Sequence, residues 1–116
     1  MTTIRAAIFG DSGNNSAQQA DVAQLVRNLE AGSIIHTGDV AYAPYTYQQA
    51  VGDHYAEYLA TGRFFPSVGN HDISDHEGGL VNYLAYFADL PNSGEYYDIR
   101  IGPVHAFTYN QFASPG

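Results

Sequence analysis

Short apolar runs alternate with longer amphipathic stretches along this chain. Residues 4–9 form a β-branched and aromatic run stopped by Gly10, which predicts a short buried strand. Ser16 and Gln19 then match the S-x-x-Q capping pattern, so a helix should start there. Val22, Val26 and Leu29, joined by Ala23 and Leu25, predict its buried face, and Ala31-Gly32 its end. Residues 33–36 predict a second strand. Thr46 with Gln49 is another capping match, and a helix over about residues 47–59 should bury Ala50, Val51, Tyr55, Tyr58 and Leu59. Residues 64–68 predict a third strand, residues 70–79 a polar loop, and residues 80–88 a short helix. Residues 96–101 and 104–109 predict a hairpin around Gly102-Pro103. The order β-α-β-α-β-α-β-β is an α/β pattern.

In such sheets, ligands sit beyond the carboxyl ends of the strands. Three polar segments fall at that edge: Gly10-Asp11-Ser12-Gly13, Gly38-Asp39-Val40-Ala41-Tyr42 and Gly69-Asn70-His71-Asp72. Each opens with a glycine after an apolar run, where a positive φ would turn the chain sharply. Asp11 and Asp39 are hard oxygen donors, Asn70 offers an amide oxygen, His71 an imidazole and Tyr42 a phenol. That donor set suits Mn, Fe or Zn rather than a soft metal. Two carboxylates held close repel unless a cation lies between them.

Composition narrows the chemistry. The 116 residues fit one domain, and 45% apolar content suits a packed core. No Cys is present, which excludes a disulfide scaffold, a thiol nucleophile and a Cys-ligated metal. Four Arg, no Lys and twelve acids give a formal net charge of −8. That balance argues against a nucleic-acid partner and against a polybasic membrane anchor. Without Lys a Walker mechanism is excluded, so phosphate charge would have to be met mainly by metals. The start of the chain shows no secretory leader; the sequence fits a cytoplasmic protein or one whose leader has been removed.

The three segments, in this order, carry a resemblance. G-D-x-G, G-D-x-x-Y and G-N-H-D resemble the motif set of calcineurin-like metallophosphoesterases, and Tyr42 is similar to the tyrosine of the purple acid phosphatase branch. The stretches around residues 33–37, 95–99 and 102–107 are similar too, so the resemblance covers nearly the whole chain. It implies a layered α/β/β/α sandwich, of which this chain would form the N-terminal βαβαβ half plus a β-hairpin. It implies two metal ions. Asp11 would bind the first, Asp39 would bridge both, Tyr42 would bind the first as a phenolate suited to iron, and Asn70 would bind the second, which could be Fe, Zn or Mn. His71 would assist the leaving group, and Asp72 would orient His71. The implied reaction is in-line attack of a metal-bound hydroxide on a small phosphate ester.

The family's later V-x-x-H and G-H-x-H motifs do not occur in this sequence, whose histidines are His36, His54, His71, His76 and His105. The expectation is therefore half a metal site over residues 1–116, with weak metal binding and little activity for this chain alone. Two other readings compete. Phe9-Gly10-Asp11-Ser12 resembles the first block of GDSL (SGNH) esterases, with Ser12 as a His-activated nucleophile, although that family's G-x-N-D and D-x-x-H blocks are not matched. A non-catalytic α/β remnant or interaction domain is the other. His36 is expected to be packed or to support a ligand, His105 to be structural, His54 to be exposed, and His76 to lie in a solvated loop or line the substrate mouth. The tyrosines from Tyr42 to Tyr47 either wall a pocket or pack their loop onto the next helix.

Overall fold

The computed structural model describes residues 4–92 and 94–112. Strands β1 (Ala6–Phe9), β2 (Ser33–His36) and β3 (Phe64–Phe65) form one parallel sheet in the order β1-β2-β3. Ala7 pairs with Ile34 and Phe9 with His36, while Ile35 pairs with Phe65. Helix α1 (Ala17–Asn28) makes the first crossover. A π-helical turn over Gln48–Gly52, running into α2 (Asp53–Ala60), makes the second. Two short helices follow, α3 (Asn70–Ser74) and α4 (Leu80–Tyr86). The chain then forms an antiparallel hairpin of β4 (Tyr97–Ile101) and β5 (Val104–Thr108) as a separate two-stranded sheet. This is the mixed α/β architecture expected. Among the described residues no helix is long and apolar enough to cross a membrane.

The capping residues act as the pattern predicts. Ser16 Oγ accepts from Gln19 N–H, although Gln19 returns its carbonyl to Asn15 N–H rather than to the cap itself. Thr46 and Gln49 form the reciprocal pair, each accepting the other's backbone N–H. The π-turn and a kink at Tyr55 (φ −130°, ψ 31°) interrupt what the pattern reads as one helix. β3 stops two residues in, because Pro66 has no N–H to extend the ladder. Residues 70–74, expected as loop, are the helix α3.

The core lies between the sheet and the helices that cover it. Ile34, Phe64, Ala23, Val51, Tyr55, Tyr83 and Phe87 are all at most 1% exposed. Ala50, Val51, Tyr55 and Tyr58 are buried as expected, and Leu59 is half-buried. The outer part of α1 departs from expectation: Ala23 and Val26 are buried, but Val22, Leu25 and Leu29 are exposed. The apolar stripe of α1 is wider than the face its neighbours cover. With edge strand β1 it lines an open groove of about 840 Å³.

Candidate metal and phosphate site

The three polar loops leave β1, β2 and β3 at one edge of the sheet and lie against each other. Asp11 N–H donates to Gly38 O and Tyr42 N–H donates to Gly13 O, both at 2.9 Å. Two motif glycines are dictated by this contact. A Cβ on Gly13 would sit 2.0 Å from Val40 O, and one on Gly69 would sit 2.2 Å from Asp39 Oδ1. The expectation of a positive φ at each leading glycine holds only for Gly38 (φ 120°). In the first loop a positive φ falls instead on Asp11 (φ 55°), and in the second Asp39 (φ 54°) shares it with Gly38. Aspartate tolerates that region better than most residues, yet two such positions side by side are characteristic of functional loops.

This backbone brings three oxygen donors together. Tyr42 Oη lies 3.1 Å from Asp11 Oδ1 and 3.3 Å from Asp39 Oδ2, so its one proton is shared between two carboxylates. Asp39 is buried, and its other oxygen accepts His71 N–H at 2.9 Å. Asp11 faces solvent. Partial burial, followed by the charge of Asp39 and Asp11, holds the Tyr42 phenol well above its ordinary range. Two carboxylates and a phenol, with no Arg among their hydrogen-bond partners in the described residues, form a hard, electronegative oxygen set, and that chemistry fits a metal cation. Asn70 opens α3 beside this set; its side chain is exposed and makes no hydrogen bond to the other described residues. Among the described residues no group of three or more His, Cys, Asp or Glu is placed to hold an ion. What is assembled is a partial donor set.

His71 and Asp72 separate. Asp72 is fully buried and turns away from the imidazole. Its carboxylate accepts from the backbone N–H groups of Val40, Ala41 and Gly69 and from Tyr47 Oη, at 2.9–3.2 Å. Burial pushes this carboxyl up, and the four donors oppose that shift. Asp72 thus pins the second loop to the third. The carboxylate on the His71 ring is that of Asp75, which sequence reasoning missed. The His71–Asp75 hydrogen bond is the leading cause that raises the imidazole pKa. The signal available was the four-residue spacing on a helical turn.

The histidines outside the motifs fall as follows. His36 is buried and its ring bridges two loops: Gly38 N–H donates to Nδ1 at 3.2 Å, and Nε2 lies 2.8 Å from Ser12 Oγ. Since Nδ1 is the acceptor, Nε2 carries the proton and donates to Ser12. A histidine that gives a proton to the hydroxyl cannot take one from it, so the pair does not activate Ser12 as a nucleophile. Burial lowers the His36 pKa to about 4. His54 contacts Asn15, His76 Nε2 donates to Ala41 O, and His105 pairs with Asp98. Of the tyrosine run, Tyr47 belongs to the core, whereas Tyr42 and Tyr45 are half-buried.

Comparison with known proteins agrees with the motif order. A family model described as calcineurin-like phosphoesterase matches residues 4–114. The chain is 27% identical over 113 residues to acid phosphatase type 7 of Danio rerio, covering 90% of this chain and 24% of that protein. It therefore spans about a quarter of the length of the curated relative it matches. No solved structure matches it.

Proposed function

The chain belongs to the calcineurin-like phosphoesterase family, and from that premise we propose that it carries half of the site of a metal-dependent phosphate-ester hydrolase of the acid phosphatase kind. The observation that carries this reading is the convergence of Asp11, Asp39 and Tyr42 oxygens within 3.3 Å on two left-handed aspartates. Asp11 and Tyr42 would hold a first metal, iron, and Asp39 would reach both that ion and a second one (Fe, Zn or Mn) held by Asn70. The metals would supply Lewis acidity and an activated water to a small phosphate ester.

The chain's own residues do the rest. Asp39 is fixed from behind by His71 N–H, so its carboxylate has one set orientation. Asp72 holds the backbone of both flanking loops and so keeps Asp39 and His71 in register. On this reading His71, whose ring is partly exposed and rests on Tyr42 at 4.6 Å, gives a proton to the departing alkoxide. Among the described residues none of the four Arg hydrogen-bonds Asp11, Asp39, Tyr42 or His71, so these loops offer phosphate little positive charge from arginine.

The test is Asp39→Asn in the full-length protein, read by elemental analysis and by hydrolysis of p-nitrophenyl phosphate. The wild type should hold two metals with a visible phenolate–iron band. The variant should lose metal and at least ~100-fold in rate. A metal-free wild type, or fluorophosphonate labelling that disappears in Ser12→Ala, would overturn the reading.

A further inference from the structure

His71 is the second residue of α3 and Asp75 caps that helix four positions on, so the two side chains share a face. Nδ1 of His71 is 2.9 Å from each Asp75 carboxylate oxygen. A carboxylate only accepts, so Nδ1 carries a proton. Asp75 is itself held from two more sides: Ala43 N–H donates to Oδ2 at 3.0 Å and Ser74 Oγ donates to Oδ1 at 3.2 Å. Ala43 directly follows Tyr42, whose ring lies against His71. Asp75 therefore ties the imidazole to the loop that carries the phenol. No described residue hydrogen-bonds His71 Nε2, on the opposite edge of the ring.

We propose that Asp75 is the positioning residue of His71, fixing the ring through Nδ1–H so that Nε2 is presented to the leaving group. The catalytic part of this rests on the phosphoesterase reading above; the fixing of the ring does not. In the step itself, the oxygen of a water bonds to phosphorus as the P–O bond to the leaving group breaks, and the departing ester oxygen takes its proton from the imidazolium Nε2–H. The neutral ring that remains keeps its proton on Nδ1, still bonded to Asp75.

The experiment uses the full-length protein with D75A and D75N. The first readout is the His71 tautomer by ¹⁵N NMR at a pH where the ring is neutral. The wild type should carry its proton on Nδ1, and D75A should shift toward the Nε2–H form that a free imidazole side chain favours. An unchanged tautomer in D75A overturns the proposal. The second readout compares an alkyl phosphate with an activated aryl phosphate. In both variants kcat on the alkyl ester should fall ~10–100-fold with KM nearly constant, and the aryl ester, which needs less proton donation, should lose less. Equal losses on both esters overturn it, and D75N, close in shape to the native side chain, keeps this arm readable if D75A does not fold. If the wild type hydrolyses neither ester, the phosphoesterase reading fails, and the tautomer alone decides the role of Asp75.

Discussion

The loop edge of the sheet and the β1–α1 flank meet at the same strand, yet they are built in opposite ways. At the loop edge, buried polar groups are paired: Asp72 accepts from four donors, and His36 bridges Ser12 and Gly38. Val40 and Ala41, between those contacts, are fully buried. On the flank, side chains that prefer burial face outward: Ile8 is 66% exposed, Leu25 54% and Leu29 60%. The site thus owes its order to a short list of hydrogen bonds rather than to apolar area. The flank has apolar area that these contacts leave unused.

The sharpest way to break this contrast is Asp72→Ala. It strands the buried N–H groups of Val40, Ala41 and Gly69 and the Tyr47 hydroxyl at once. An unsatisfied buried donor costs ~1–3 kcal/mol, so a loss of about 3–5 kcal/mol is expected after partial relaxation. Urea denaturation measures it, and a loss under ~1 kcal/mol would show that the loops are held by something else. Asp72→Asn keeps one acceptor oxygen and should lose less.

Acid probes the same edge through His36. Its folded pKa of about 4 lies below the unfolded value of 6.5. The unfolded chain therefore binds the proton first. The contribution of His36 to stability should be level above about pH 7, fall as pH drops through 6.5 toward 4, and level off below. The full swing is about 3 kcal/mol at ~1.4 kcal/mol per pKa unit. Denaturation midpoints of wild type and His36→Gln at pH 7.5, 5.5 and 4.5 isolate this contribution, and parallel curves for the two proteins would refute it.

What the sequence made legible follows the same division. The three loops could be read because their glycines and aspartates are set by close contacts that few residues satisfy, such as Gly13 against Val40 O and Gly69 against Asp39. The four-residue spacing of Asp75 from His71 points to a partner only where the turn is known to be helical, and α3 is a single turn with Ile73 as its one apolar residue, too little for periodicity to register. Asp72 carried the right chemistry and the wrong neighbour: sequence adjacency to His71 says nothing about direction, and on a helical turn adjacent side chains diverge. The exposure of Leu25 and Leu29 was illegible for another reason. Periodicity records which residues are apolar, not whether a partner covers them.

The smallest effect belongs to the flank. Leu25→Gln combined with Leu29→Gln should change the stability of this chain by no more than about 0.5 kcal/mol, the usual range for surface substitutions. More than half of each leucine already meets water. Gln is close to Leu in helix propensity, so α1 itself should not weaken. The reference is Ile34→Ala on the covered face of the same sheet, where full burial predicts a loss of ~2–5 kcal/mol. Urea midpoints for both variants set the two faces on one scale. A loss above ~1 kcal/mol for the leucine pair would mean that the flank is core after all, and the contrast with the loop edge would reduce to a difference of polarity alone.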